Sequence, residues 1–391
     1  MNHEKYYQHF LNNNPYPRHL KNLEAIQGFS SIYLKHHGKK IINFSSSDYL
    51  GLSNHPALVK SSQEFVERYG VGASSSRLVT GNFDCYTELE TNLAKALGKP
   101  AALILGTGYQ TNMTVLEALF DQTILRHEPL IFSDKLCHAS MMSVIKNFSG
   151  LERFRHNNLD HLRHLLDKHI NSDRQKFILV ESVYSMEGDE ANLAELIQIA
   201  KDHQAFLYVD DAHGVGVFGQ NGWGKTVEHS EHIPLIMGTF SKALGSSGGY
   251  IGCSELMRNY LINKCRGLIY STGLSPAILG AMTAAIELQP QLHESRLKLL
   301  KNAERVRQFF HTENINCGDS TTHIIPWIIG DAKKTLEISA QLEKQGILGT
   351  AIQPPSVPNG KSRIRFCLSA GHSDSDIDLL LEAILRVNAL I

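Results

Sequence analysis

Five short apolar runs, at 101–105, 130–133, 177–180, 205–209 and 233–237, constrain this chain more than any other feature. Each is too short for a helix and is bounded by turn-forming or charged residues, so each reads as a buried strand. Helical patterns stand between them, at 113–120, from 134 onward and at 193–200. Strand and helix units repeating at this spacing define an α/β fold with a mostly parallel sheet covered on both faces. Ligands on such sheets sit beyond the carboxyl ends of the strands. Gly108, His138, Ser185, Asp210, His213 and Lys242 all fall at such ends.

The flanking segments build outward from this frame. Residues 1–40 are polar and weakly patterned and read as an N-terminal arm. A short strand at 41–44 runs into Ser-Ser-Ser-Asp-Tyr-Leu-Gly-Leu at 45–52, where small hydroxyl residues either line a site or close a turn. Pro56 opens a helix to about Tyr69, with Leu58, Phe65 and Val66 as buried candidates. Arg77, inside the Gly/Ser-rich loop at 70–81, suggests anion contact. Leu89, Leu93 and Leu97 mark a helix over 86–97 that Gly98 caps.

The run Gly-Thr-Gly-Tyr-Gln-Thr-Asn at 106–112 joins a strand to a helix start, which presents backbone amides to a phosphate. Tyr109 within it either stacks on a ligand or fills core. His138 is either a cap neighbour or an aromatic lid. The histidines from 156 to 169 read as a solvated amphipathic helix, not as metal ligands. The G-x-G-x-x-G match at 214–219 lacks the helical run and acidic residue of a dinucleotide site.

Beyond Lys242, helices at 276–288, to about 311, at 332–345 and at 377–387 alternate with strands at 322–329, 348–352 and 362–368. This pattern predicts a smaller α+β unit completed by the N-terminal arm. The expected division is residues 1–50 as arm and part of the small domain, 51–288 as the large domain and 289–391 as the small domain.

Charge excludes some functions. Thirty-eight Lys and Arg against 39 Asp and Glu leave no basic excess for nucleic acid or anionic membrane. No apolar run approaches the ~18 residues of a membrane span. The first residues lack the apolar centre of a signal peptide. Six scattered cysteines with no C-x-x-C pair fit a reducing compartment, so a cytoplasmic location and no metal are expected.

The chemistry centres on Met-Gly-Thr-Phe-Ser-Lys-Ala-Leu-Gly-Ser-Ser-Gly-Gly at 237–249. A lysine just past a strand end suits a covalent amine, and pyridoxal phosphate (PLP) is the commonest protein-bound carbonyl partner for one. Such a cofactor also needs a carboxylate for its pyridine nitrogen, a flat group over its ring and donors for its phosphate. Asp210, His138, and Gly108 with Tyr109 fit those needs.

Five ordered motifs carry a resemblance. They are Asn-Phe-Ser-Ser-Ser-Asp-Tyr-Leu-Gly-Leu at 43–52, His-Ala-Ser at 138–140, Glu-Ser-Val-Tyr-Ser-Met-Glu-Gly-Asp at 181–189, Val-Asp-Asp-Ala-His-Gly at 209–214 and Thr-Phe-Ser-Lys-Ala-Leu-Gly at 239–245. Over nearly its whole length the chain resembles the α-oxoamine synthase family of fold-type I PLP enzymes. Leu-Ile-Tyr-Ser-Thr at 268–272 and the segment 351–365 are most similar to the branch that joins alanine to a pimeloyl thioester in biotin synthesis.

The resemblance implies a homodimer whose substrates are an amino acid and an acyl thioester on CoA or acyl carrier protein. It implies that Lys242 holds PLP and later takes the alanine α-proton. His138 would stack on the ring and assist acyl transfer, Asp210 would pair with the pyridine nitrogen and His213 with the ring oxygen. Ser185 would lie beside them, while Gly108, Tyr109 and Thr239 contact ring or phosphate. Arg365 would bind the substrate carboxylate and Ser356 the acyl chain. Ser271 and Thr272 would reach the partner subunit's phosphate.

Three positions depart from the family pattern. Ser47 stands where asparagine is usual, serines replace glycines at 74–76, and an expected arginine near residue 20 has only Arg18 close by, with Leu20 in the simplest alignment. These bear on substrate choice, where glycine or serine with another acyl group is the alternative. A catalytically silent partner subunit is the alternative outside enzymes.

Overall fold

The structure is a computed structural model that describes residues 3–13, 23, 25–26, 31–36 and 38–389. Its strands, in chain order, are β1 (Tyr33–His36), β2 (Lys39–Asn43), β3 (Ala101–Leu105), β4 (Leu130–Asp134), β5 (Leu151–Phe154), β6 (Lys176–Glu181) and β7 (Ala205–Asp210). They continue with β8 (Leu235–Thr239), β9 (Gly249–Cys253), β10 (Ile324–Gly330), β11 (Ile347–Leu348), β12 (Thr350–Ile352) and β13 (Ser362–Cys367). Seven of them form the large sheet, in the order β3-β9-β8-β7-β6-β4-β5. Neighbours from β8 to β5 run parallel, and β9 alone is antiparallel to both β3 and β8. The expected mostly parallel α/β architecture is therefore present.

Strands β3, β4, β6 and β8 are buried along their whole length, as apolar runs covered by helices on both faces must be. The helix Pro276–Leu288 lies against the helix Pro56–Tyr69 so closely that a Cβ on Gly280 would meet the Ser61 carbonyl oxygen at 2.4 Å. Ser61 and Ser62 hydroxyls donate to Gly280 and Ala277 carbonyls at 2.8 Å across that contact.

Two smaller sheets follow, β10-β13-β12 and β1-β2-β11. In the second, β2 pairs in parallel with β11, joining residues near the start of the chain to the C-terminal elements.

Two strands escape the sequence pattern. β5 is short, with only its last residue fully buried. β9 lies inside what reads as a glycine-rich turn, because a strand of Gly-Tyr-Ile-Gly-Cys has little β-branched content. Gly249 is required by packing: a Cβ there would lie 2.9 Å from the Gly108 backbone and 2.4 Å from Thr111 Oγ1.

Two readings need correction. Arg77 contacts an anion of the protein itself: its guanidinium pairs with Glu90 at 2.6 Å and lies 3.8 Å from the Tyr86 ring. The histidine run is not uniformly solvated. The helix Leu159–Asp167 is amphipathic, with Leu162, Leu165 and Leu166 buried, but His156 precedes it. His156 bridges Asp134 at 3.0 Å and Asp189 at 2.8 Å, tying the end of β4 to the loop after β6. The G-x-G-x-x-G residues form a tight turn over Asp211, whose Oδ1 would lie 2.0 Å from a Cβ on Gly214.

Burial alone would push the His156 imidazole down, but the two aspartates outweigh it and raise its pKa to about 10. A pKa raised on folding stabilises fully below the unfolded value and is lost as pH rises through the folded one. His156→Gln should therefore cost about 2 kcal/mol near neutrality, less than the roughly 3–5 typical of a fully buried pair. In chemical denaturation the gap between the two proteins should narrow from about pH 7 to above 10; a constant gap would show that charge plays no part.

Candidate active site

The carboxyl ends of β4, β6, β7 and β8 converge on a cavity of about 290 Å³, lined by Gly108, Tyr109, His138, Asp210, His213, Thr239 and Lys242 among others. A larger groove of about 430 Å³ runs along the sheet edge between residues 87–102 and 255–258 and holds none of the candidates. Its inward-facing charges are already paired, Glu90 with Arg77 and Arg258, and Lys99 with the Ser230 and Ile233 carbonyls.

Local structure explains each placement. The helix Gly108–Leu119 starts five residues earlier than its apolar pattern, because Thr107 caps it by accepting from the Gln110 amide at 3.1 Å. Its first residues face the cavity beside Thr239. Thr239 donates to the Gly248 carbonyl at 2.7 Å and sits 2.8 Å from the Ser241 hydroxyl. His138 is the N-cap of the helix Ala139–Ile145 and also borders the cavity, with Nδ1 2.7 Å from Ser140 Oγ. Tyr109, half exposed, meets its ring edge-on at 6.2 Å.

Asp210, at the end of β7, is 6% exposed. Asn112 donates to its Oδ2 at 2.8 Å and the Ala212 amide to its Oδ1 at 3.0 Å. Asn112 in turn donates to Ser140 at 2.9 Å and accepts from Tyr208 at 2.7 Å. His213 Nδ1 is 2.7 Å from the hydroxyl of Tyr49, which is wholly buried and has the Ser47 side chain nearby.

Burial lowers the Lys242 amine to about 8, against the pull of the Asp210 carboxylate. Burial also lowers His138, with Lys242 adding to it and Asp210 opposing, and drives His213 well below its usual range. Both shifts favour the neutral imidazole, and Lys242 has a larger free-amine fraction than an exposed lysine.

The other candidates are not part of this cavity's lining. Arg365 on β13 donates to the Ser185 carbonyl at 3.2 Å, while its Nε is buried without a partner. Ser47 is half-buried beside Tyr49. Ser271 accepts from Gln110 at 2.9 Å and Thr272 bridges to Ser76, both outside the cavity. Ser356 is exposed on the loop between β12 and β13. Arg18 and Leu20 lie outside the described residues.

Sequence reasoning passed over Tyr49, Asn112 and Glu181 as individual groups. Tyr49 and Glu181 stand inside quoted motifs, and Asn112 closes the phosphate-like run, so position was the available signal. The pairing of Asn112 with Asp210 depends on helix and strand meeting in space, which no spacing reports.

A half-buried lysine sharing a cavity with a fixed carboxylate, at the carboxyl ends of a mostly parallel sheet, defines a fold-type I transferase. A profile of the family described as aminotransferase class I and II matches residues 39–384, and the chain belongs to that family, in its α-oxoamine synthase branch. It is 48% identical over 350 residues to a Paramagnetospirillum magneticum protein provisionally named 8-amino-7-oxononanoate synthase, covering 89% of this chain and 88% of that one. A serine palmitoyltransferase from S. paucimobilis, solved with bound PLP and myriocin, superposes with a TM-score of 0.88 at 26% identity, covering 98% and 96%. An 8-amino-7-oxononanoate synthase from Francisella tularensis does so with a TM-score of 0.76 at 26% identity, covering 90% and 98%.

An amine-reactive reagent should label Lys242 of the cofactor-free protein with a rate half-maximal near pH 8, because the reactive neutral form accumulates above its pKa. Peptide mapping across pH would read this directly. A midpoint near the ordinary 10.5 would remove the argument from burial.

Proposed function

We propose that this PLP-dependent acyltransferase condenses L-alanine with a pimeloyl thioester, giving 8-amino-7-oxononanoate, carbon dioxide and the free thiol carrier in biotin biosynthesis. The observation that carries the reading is the half-buried Lys242 sharing one cavity with Asp210, His138 and His213. The names of the relatives support the choice of substrates.

The donors present suit PLP. Lys242 is a nucleophilic amine, Asp210 is a carboxylate held by two donors, and the amides that open the helix Gly108–Leu119 lie beside the Thr239 and Ser241 hydroxyls. A helix start of this kind attracts phosphate. When bound, PLP supplies an electron sink for the amino acid's α-carbon.

This chain's residues do the rest. Lys242 Nζ holds the cofactor and, once freed, takes the α-proton. Asp210 keeps a proton on the pyridine nitrogen. The Tyr49 hydroxyl keeps its proton and donates a hydrogen bond to His213 Nδ1, which would leave His213 Nε2–H as a donor for the ring oxygen. Neutral His138 covers the ring and assists acyl transfer. Arg365 Nε, buried and unpaired, takes the alanine carboxylate by a charge-assisted bond. Gly108, Tyr109 and Thr239 would serve the ring or phosphate, Ser185 would lie beside them, Ser356 would bind the acyl chain, and Arg18 is a further substrate-binding candidate.

The working unit is a homodimer. Val71, Leu78, Val79 and Tyr270 are exposed apolar side chains around the bridged loops that carry Ser76 and Thr272. A second copy covering that face would bring Ser271 and Thr272 to the neighbouring phosphate site. Six free cysteines are consistent with the cytoplasm.

A product assay with alanine, glycine and serine against acyl thioesters of graded length tests the substrates. Pimeloyl with alanine should have the highest kcat/KM, with neighbouring chain lengths poorer by about tenfold or more per methylene. Preference for serine with a long-chain thioester would favour the activity named for the S. paucimobilis structure.

Arg365→Ala should raise the KM for alanine by about 30-fold or more, as loss of a charged hydrogen bond does. Ser47→Ala should raise it by less than about tenfold. Equal damage from both would make Ser47 a primary ligand.

A further inference from the structure

Glu181 closes β6 and stands opposite Asp210 in the parallel register with β7. Both side chains line the Lys242 cavity, and they are 2% and 6% exposed. Their hydrogen bonding is unequal. Asp210 has a donor on each oxygen, from Asn112 and from the Ala212 amide. Glu181 accepts from the Ser185 backbone, while its Oε1 is buried with no partner. An ionised Glu181 would leave a bare anionic oxygen out of water, beside a second anion that is already satisfied. A protonated Glu181 has a hydroxyl where the carboxylate would have an uncompensated charge.

The titratable groups facing Glu181 come from several elements. They are Asp134 at the end of β4, Cys137 in the turn after it, Tyr184 beyond β6, Asp210 on β7 and Lys242 beyond β8. Asp134 is bridged by His156, and His138 and His213 line the same cavity. Among the described residues Lys242 is the one cation there, and of the two strand-end carboxyls Asp210 is better placed to keep a negative charge. Burial and the Asp210 charge both hold the Glu181 carboxyl well above the ordinary carboxylate range.

We propose that Glu181 is held as a neutral carboxylic acid with its proton on Oε1, a positioning residue that leaves Asp210 as the only anion of the strand-end pair. This rests on the reading of Asp210 as partner of the pyridine nitrogen. A second carboxylate there would compete for the nitrogen's proton. It would also raise the Lys242 amine and reduce its free-base fraction. The neutral acid avoids both effects while supplying a hydrogen-bond donor to the cavity.

The test uses Glu181→Gln, which keeps shape and a donor but can never be charged. In the cofactor-free protein, the pH midpoint of Lys242 labelling should be the same in variant and parent. Were Glu181 ionised, losing its charge would lower that midpoint by about one pH unit or more. Infrared spectra of the parent above pH 7, with the glutamates carbon-13 labelled, should contain a protonated-carboxyl band that Glu181→Gln removes. The same band should survive Glu187→Gln, since Glu187 is half-buried and paired with Arg363. Working above pH 7 excludes Asp211, which titrates at about 6. A lowered midpoint, or absence of the band from the parent, overturns the proposal. If Glu181→Gln does not fold, the band in the labelled parent and in Glu187→Gln still decides. Failure of the parent to bind PLP would instead sink the wider reading, and it would leave the protonation state measurable.

Discussion

Taking the Lys242 amine out of water is the constraint on which the rest of the site depends. An ammonium buried without an anion is unfavourable by several kcal/mol, so a lysine can sit at this depth only by losing its proton readily or by keeping a carboxylate near. The cavity does both by half: burial lowers the amine to about 8, and Asp210 stops it falling further. The value is therefore set by where Asp210 is held. That falls to Asn112, whose amide reaches Asp210 and Ser140 and whose carbonyl takes the Tyr208 hydroxyl. One side chain thus locks the helix Gly108–Leu119, strand β7 and the helix behind His138 into a common frame.

The second constraint is steric. β9 runs against the grain of the sheet between β3 and β8, and its first residue meets the start of the helix Gly108–Leu119. With glycine on both sides, that helix start comes close enough to Thr239 for amides and hydroxyls to address one ligand group. A side chain at Gly249 would push the helix away, and the hydroxyl pair at Thr239 and Ser241 would lose its backbone complement. Gly245, at φ 66°, plays a similar part on the far side of Lys242, where a Cβ would lie 2.5 Å from the Leu52 backbone.

What could be read from the sequence follows from this division. The parallel strands were legible, because a strand buried on both faces is an unbroken apolar run. The strand-end residues followed from the rule that ligands lie there, and the motifs then supplied roles. β9 was hidden because its glycines answer to a close approach across space, not to strand propensity. His156 was misjudged because a histidine among histidines looks solvated, while the two aspartates that hold it are 22 and 33 residues away. Arg77 looked free for a ligand anion because Glu90 is on the following helix. In each case the deciding partner is distant in the chain, and periodicity carries no information about it.

The replacement of asparagine by Ser47 takes on a physical meaning here. The loop at 45–52 is pinned at both ends: Asp48 accepts from the Leu52 and Ser53 amides at 2.8 and 3.1 Å, and Ser369 donates to the Asp48 carbonyl at 2.8 Å. Within that rigid loop the Ser47 side chain reaches the buried Tyr49 phenol, which in turn contacts His213. A hydroxyl at 47 is therefore a neighbour of the phenol that contacts His213. Arg365 approaches from β13, anchored by the Ser185 carbonyl, and retains a buried N–H with nothing to satisfy it. A buried guanidinium N–H left unpaired is unfavourable until an acceptor arrives. The side chain best prepared to bind an anion is thus the one on β13, and the loop at 45–52 acts on the histidine instead.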